Sequence, residues 1–407
     1  MAAATPSTTD SAGIYFNPWD ENFRANPYPH YKPLFDGPPR IINLVMDMAL
    51  VARYADVRAV LLDHANFSSA QLATTGFEEQ NNLLGQDPSM LVADPPVHTR
   101  LRRLVSRDFT PRRIRELEPR IREIAAQLVD GAERKGSLDV MADVANTLPV
   151  MVIAEMLGVP PEMYQTFKHW SDKIVEADNV LPGMPMPDDI KLAMSELREF
   201  FSRQLESRRG RPGPDLVSAL VAAHEQSEAL SAGELLAFVI LLLLAGNETT
   251  TNLIGNGMLA LGRHLDQIAL LRQKPELMPG AIDEMLRYDG PVQSTFRTAT
   301  CDTNVGGTDI KAGTGVFVMV AAANRDPAHF PDPDKFDITR DPNDHLAFGE
   351  GIHFCLGSGL ARVEGSIAIA TMLERFPRLR LANPEAPLKY KGSYFLRGLA
   401  HLEMAID

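Results

Sequence analysis

Residues 348–357 read Phe348-Gly349-Glu350-Gly351-Ile352-His353-Phe354-Cys355-Leu356-Gly357. Gly349, Gly351 and Gly357 remove side chains around one cysteine. The backbone there can approach a flat group closely and aim N–H groups at the sulfur. The spacing predicts a helix beginning at Leu356–Ala361, whose positive end favours an anionic thiolate. Such a loop suits thiolate ligation of haem iron. Cys301, the chain's other cysteine, lacks these surroundings and reads as inert.

Outward from this loop the pattern is mainly helical. A helix follows to about Glu374 and leads into a β-rich tail. Upstream lie a Pro-rich coil (Asp326–Pro342) and strands across Pro291–Val320, with turns at Gly306-Gly307 and Gly313. A helix after Pro279 carries Glu284 and Arg287. The longest helix is predicted from Ser231 to about His264. Ser231-Ala-Gly-Glu234 is a capping box that satisfies two free amides. Inside this apolar helix sits a polar patch, Ala245-Gly246-Asn247-Glu248-Thr249-Thr250, and local conflict of this kind marks functional sites. Earlier helices are predicted within Pro95–Arg134 (broken near Thr110-Pro111), Asp139–Leu157, Pro161–Asp178 and Ile190–Arg208. Long loops fall at Ser68–Asp94 and Asn179–Asp189. The sum is a mainly α fold with a minor β region, expected as a single domain over 14–407 behind a disordered tail, 1–13.

Composition excludes several classes. The chain has 407 residues, and 40 Lys+Arg against 53 Asp+Glu give a net charge of −13. That balance argues against a general nucleic-acid binder. Two cysteines cannot build a disulfide framework, so a reducing, cytoplasmic setting is expected. The first dozen residues show no basic stretch followed by an apolar run. The most apolar run, Leu235–Gly246, is shorter than the roughly 20 residues of a membrane helix, so no membrane association is expected.

The motif F-G-x-G-x-H-x-C-x-G at 348–357 resembles the haem-binding loop of the cytochrome P-450 superfamily at every fixed position. Other stretches agree in order and spacing. Ala245-Gly246-x-Glu248-Thr249 looks like the family's oxygen-activation motif. Glu284-x-x-Arg287 resembles its E-x-x-R pair, with Arg340 where the family places the pair's arginine partner. Asn324-Arg325-Asp326-Pro327 matches a stretch common in bacterial members. Alone, Glu and Arg at i and i+3 would read as a surface ion pair; the resemblance makes them a structural triad with Arg340.

The resemblance implies the cytochrome P-450 fold, with haem b held between the long central helix and the Cys-loop helix. Cys355 is then the axial thiolate. Phe348, Gly349, Leu356, Gly357, Ala245 and Gly246 border the haem, and Ala245 and Gly246 leave room for dioxygen. His98 and Arg102, at i and i+4 on one helix face, resemble the family's propionate-binding pair, with Arg297 and His353 in the other usual places. The implied activity is a monooxygenase that activates O2 with two external electrons and hydroxylates a C–H bond. Thr249 and Glu248 form its proton relay. A peroxide-driven enzyme or a haem sensor has no use for that acid–alcohol pair.

The electrons are expected from a ferredoxin and an NAD(P)H-dependent ferredoxin reductase. Residues 99–115 hold seven arginines and one acid, Asp108, a local reversal of sign that suits an acidic partner. A monomer is expected. The implied substrate is a medium-sized, mainly apolar small molecule. Leu91, Leu241, Leu244, Val292 and Phe395 are expected to line its pocket, with Gln293, Ser294 and Thr295 as polar anchors.

Overall fold

A helix of 32 residues, Ala232–Arg263, runs through the centre of the molecule. The computed structural model describes residues 15–17, 20–43, 47–70, 89–177, 185–211, 213, 215–218, 221, 231–391 and 395–407. The expected tail 1–13 lies outside these residues, as do 71–88 and 179–184 of the two long loops and Asp178, the last residue of a predicted helix. In chain order the main helices are α1 (Tyr54–Leu62), α2 (Val97–Val105), α3 (Pro111–Lys135), α4 (Leu148–Met156), α5 (Tyr164–Glu176), α6 (Asp188–Arg208), α7 (the central helix), α8 (Leu265–Gln273), α9 (Met278–Asp289) and α10 (Ser358–Arg375).

The start of α7 follows from its sequence. The Glu234 amide donates to Ser231 Oγ at 3.0 Å, and the Ser231 amide donates to Glu234 Oε2 at 2.8 Å. Glu234 also pairs with Arg100 of α2, which ties the two helices together. The apolar half of α7 is covered on several sides. Leu235, Phe238, Val239 and Ile240 pack with Ile153 of α4, Phe167 and Trp170 of α5, and Phe201 of α6. Its second half places Leu253, Ile254 and Met258 against Ile121 and Ile124 of α3, Met285 of α9 and Met372 of α10. Each such burial contributes roughly 1.5–3 kcal/mol. By length and composition Gly233–Arg263 could cross a membrane, but 72% of its most apolar window is buried inside the protein. A helix apolar on all sides is a core helix when other helices cover it.

The β region flanks this bundle. Strands β1 (Arg40–Asn43), β2 (Asp47–Val51), β3 (Phe67–Ser68), β5 (Thr295–Ala299) and β8 (Gly315–Val318) form one sheet in the order β1-β2-β8-β5-β3. All its pairs are antiparallel except β2–β8. Strands β6 (Thr303–Val305) and β7 (Thr308–Ile310) make the hairpin predicted at Gly306-Gly307. Strands β4 (Leu138–Asp139), β9 (Arg380–Leu381) and β10 (Glu403–Ala405) join the carboxyl-terminal tail to the start of the α4 region.

Two boundaries differ from expectation. Asp139–Leu157 is not one helix. Residues Val140–Ala145 form a wide π turn, and α4 starts at Leu148. Pro149 is the cause: it has no N–H to reach the carbonyl of Ala145, four residues back. The hydroxyl of Thr251 on α7 donates to that carbonyl instead, at 2.8 Å. The helix after the cysteine starts at Ser358, not Leu356, with Gly357 as its N-cap. The shift leaves the first amides of α10 facing Cys355.

Candidate functional site

The cysteine loop is folded by its own glycines. Gly349 and Gly351 have φ of 68° and 71°, which disfavours side chains. The Gly349 amide donates to Leu346 O at 2.8 Å, and the Cys355 amide donates to Phe348 O at 2.8 Å. A Cβ on Gly351 would come 2.8 Å from Leu61 O at the end of α1, so the loop lies directly on that helix. A Cβ on Gly357 would meet nothing within 4 Å. Burial pushes the Cys355 thiol pKa up, while the amides of Gly357 and Ser358 and the guanidiniums of Arg102 and Arg362 pull it back. Those four groups would stabilise a thiolate.

Four of the predicted cationic or imidazole residues come together beside this loop. The rings of His98 and His353 lie 4.3 Å apart, centre to centre. Among the described residues, neither nitrogen of buried His98 and not Nε2 of His353 has a hydrogen-bond partner. Arg102 donates to Phe354 O at 2.6 Å. Arg297 is buried, and its Nη1 donates to Phe296 O and Thr295 Oγ1 of its own strand. Burial, then the Arg297 charge, drive the His353 pKa down to about 3. Burial also drives Arg297 down to about 10, and burial and then Arg102 lower His98. Buried imidazole nitrogens without partners are costly unless a polar or charged group joins them, and an anion suits the guanidiniums beside them. Two carboxylates beside a flat macrocycle satisfy that need, so these residues fit a haem. Sequence reasoning missed Asp94 at this cluster. It accepts from Ser68 Oγ at 2.5 Å and from the Ser69 amide at 2.9 Å, and its charge reaches both Arg297 and His353.

On α7, Ala245 is exposed and Thr249 half-buried in the middle of an otherwise buried helix. Their accessible strip faces open space, as a cofactor site requires. The Thr249 hydroxyl donates to Ala245 O at 2.6 Å, leaving its oxygen lone pairs as acceptors. Glu248 is buried. Gly246 differs from expectation: a Cβ there would come 2.7 Å from Ile153 Cδ1. Its small size is used to pack α7 on α4, and Ala245 is the more exposed of the two.

Glu284 and Arg287 of α9 are not a surface pair; their side chains are 0% exposed. Arg287 Nε and Nη2 donate to the two carboxylate oxygens at 2.7 and 2.8 Å. Arg340 Nε lies 3.2 Å from Glu284 Oε2. The triad therefore meets, and it grips the coil before the cysteine loop. Arg287 donates to the carbonyls of Asn324, Pro333 and Lys335, and Glu284 accepts from the Asp337 amide and from Asn343 Nδ2.

The predicted pocket residues divide. Leu91 is 53% exposed, and Leu244, Val292 and Phe395 are half-buried. Val292 bridges Leu396, and the Gln293 amide donates to Phe395 O at 2.8 Å, so these two walls are joined. Leu241 is 4% exposed and packs in the core. Gln293 is no loose anchor: its Nε2 donates to Gly290 O at 2.9 Å and its Oε1 accepts from Tyr31 at 3.2 Å.

Comparison with known proteins agrees with this geometry. The family model described as Cytochrome P450 matches residues 39–396. The chain is 43% identical over 389 residues to the cytochrome P450 monooxygenase PikC of Streptomyces venezuelae, across 94% of this chain and 91% of that protein. It is 42% identical over 388 residues to the vitamin D(3) 25-hydroxylase of Pseudonocardia autotrophica, across 94% of each. The solved structure of the bacillaene polyketide synthase cytochrome P450 PksS from Bacillus subtilis superposes with a TM-score of 0.88 at 36% identity, covering 96% of this chain and 100% of that one.

Proposed function

The chain belongs to the cytochrome P450 family and is a haem b-dependent monooxygenase that takes O2 as co-substrate, and from that premise we propose that it hydroxylates a medium-sized, mainly apolar small molecule. When bound, the haem supplies the activation of dioxygen and the insertion of one oxygen atom into the substrate. Cys355 holds its iron as a thiolate. His98, Arg102, Arg297 and His353 hold its propionates. The observation that carries this assignment is the set of buried imidazole nitrogens beside the cysteine loop that have no hydrogen-bond partner among the described residues.

Thr249 and Glu248 deliver protons to the oxygen side of the site. A hydroxyl already donating to Ala245 O is oriented to accept a hydrogen bond from a water. Glu248, its neighbour, links that water to solvent. The half-buried Val292, Leu244 and Phe395 support an apolar substrate. So does the relative named for vitamin D(3). Candidate substrates are those that shift the haem band toward high spin. With such a compound, Thr249→Ala is expected to lower product per electron pair by about an order of magnitude, the electrons reappearing as hydrogen peroxide. Unchanged coupling in that variant would remove Thr249 from the relay.

The electron donors are a ferredoxin and an NAD(P)H-dependent reductase, and the enzyme works as a cytoplasmic monomer. Of the seven arginines in 99–115, Arg100 turns to Glu234 and Arg102 to the cysteine loop. Arg103, Arg107, Arg112, Arg113 and Arg115 are exposed. The amino end of α3 packs on the start of α10, where a Cβ on Gly359 would meet Ile114 at 2.8 Å. The arginines therefore share a face with the cysteine loop, whose Phe354 is 41% exposed. An acidic ferredoxin suits that face. Its reduction of the enzyme should slow severalfold as salt rises from about 0.05 to 0.5 M, because screening shortens the range of attraction. A rate indifferent to ionic strength would count against the patch.

A further inference from the structure

Nothing in the sequence marks Arg397, yet the fold buries its guanidinium beside two of the predicted pocket residues, Val292 and Phe395. Phe395-Leu396-Arg397 runs antiparallel to Pro291-Val292-Gln293. The Arg397 amide donates to Pro291 O at 2.8 Å, and the Gln293 amide donates to Phe395 O at 2.8 Å. Between these bonds Val292 lies directly opposite Leu396, so the two half-buried side chains stand on one face. Arg397, next in the chain, stands on the other face. The bridge lies outside the strands of the sheets, and a ladder this short is marginal on its own. The Arg397 side chain supplies the missing hold. Its Nε donates to Asp289 Oδ1, at the end of α9, at 2.8 Å. Its Nη2 donates to Ala25 O at 3.1 Å and its Nη1 to Arg24 O, both in the amino-terminal segment. The guanidinium carbon lies 3.8 Å from the centre of the Tyr390 ring. The Tyr28 hydroxyl donates to the same Asp289 oxygen at 2.6 Å. Asn256 of α7 donates to Asp289 O at 3.0 Å and to Arg397 O at 3.1 Å. One buried side chain thus joins the tail to α9 and to the amino-terminal segment, and Asn256 fastens both partners to α7.

We propose that Arg397 is a positioning residue that sets substrate fit: by holding the tail to Asp289 and to the Arg24 and Ala25 carbonyls, it fixes Phe395 and Leu396 at the distance from Val292 that a medium-sized apolar substrate requires. The inference rests on the reading of Val292 and Phe395 as pocket walls. The chemistry suits the task. A planar guanidinium can bond a carboxylate and two carbonyls at once in fixed directions, whereas an ammonium is a point charge that cannot keep that geometry. The Arg397–Asp289 pair is buried, so salt screens it little. None of these partners belongs to the cysteine loop or to the cluster of His98, Arg102, Arg297 and His353. Loss of the hold therefore falls on ligands large enough to reach the wall, and leaves the haem and its thiolate in place.

The test compares the Kd values of two iron-ligating azoles on the haem-loaded protein, read from the shift of the haem band. Imidazole is small and meets little beyond the iron, whereas clotrimazole is bulky and apolar and also fills the pocket. In Arg397→Lys clotrimazole should bind about tenfold more weakly, while imidazole stays within about twofold of wild type. Haem content and the thiolate-type band with carbon monoxide should not change. A loss shared equally by both azoles, or no loss for clotrimazole, would overturn the proposal, because a merely structural role does not sort ligands by size. Should Arg397→Lys fail to fold, Asp289→Asn keeps an oxygen for Arg397 but removes its counter-charge. A selective loss by a smaller factor is expected there, and an unchanged ratio of the two Kd values would overturn the proposal too. The pocket reading fails separately: Val292→Ala would then leave that ratio at its wild-type value, whatever the other variants give.

Discussion

Cys355→Ser is expected to abolish the thiolate-type band in the carbon monoxide difference spectrum and to lower monooxygenation by on the order of 10³-fold or more. The reason lies in how the loop divides its tasks. Its backbone shape comes from Gly349, Gly351 and the bond from the Cys355 amide to Phe348 O, none of which uses the sulfur. Serine therefore leaves the loop folded, and far-ultraviolet circular dichroism should not change. Only ligand chemistry is lost. Burial raises the thiol pKa, so the Gly357 and Ser358 amides and the Arg102 and Arg362 charges support an anion that iron must complete. A serine hydroxyl is far harder to ionise and offers a hard oxygen in place of a soft sulfur. Cys301→Ser is the control. That residue is exposed, with its Sγ 3.2 Å from Asn66 Oδ1, and its loss should leave the band intact. A thiolate-type band surviving in Cys355→Ser would remove Cys355 from the iron.

What sequence could reveal depended on range. The capping box at Ser231 is a local device, and both of its bonds form where three residues of spacing place them. The glycines of the cysteine loop and the hairpin at Gly306-Gly307 are local too. The split of Asp139–Leu157 is less visible, because Pro149 at the second position of a helix is ordinary, and only Thr251, over a hundred residues away, makes the break stable. Gly246 and Gln293 show the same limit. Their residue types suit a ligand site, but Ile153 fills the space beside one, and Tyr31 and Gly290 occupy the amide of the other. Asp94 carries no signal in the sequence, since it matters through groups that only the folded chain brings near. The Glu284–Arg287 spacing is the sharpest case. By itself it is the pattern of a solvated ion pair, and only the resemblance to a family pointed to burial.

That burial makes Glu284→Ala the most destabilising substitution expected outside the cysteine loop. The carboxylate is fully buried and holds Arg287 in a two-bond fork, with Arg340 on its far side. Its loss leaves two guanidiniums in the interior without their counter-charge, a change that costs about 3–5 kcal/mol. A folded protein holds only about 5–15 kcal/mol in reserve, so this is a large share. The effect should also travel. Glu284 accepts from the Asp337 amide and Asn343, while Arg287 holds the carbonyls of Asn324, Pro333 and Lys335. The side chain of Asn324 in turn accepts from the Leu346 amide, two residues before Phe348. Loosening this coil therefore loosens the support of the cysteine loop, and haem should be lost along with stability. Arg287→Lys is expected to be nearly as damaging, because one ammonium cannot reproduce a fork and three carbonyl contacts at once. Arg340→Ala should cost less, since its side chain is 11% exposed and sits at the rim of the network. The double variant Glu284→Ala/Arg287→Ala should cost less than the sum of its parts, as the second change removes a charge already stranded. Denaturant midpoints and the haem-to-protein ratio after gel filtration measure both effects. A Glu284→Ala protein within about 1 kcal/mol of wild type and fully haem-loaded would show that the triad does not hold the loop.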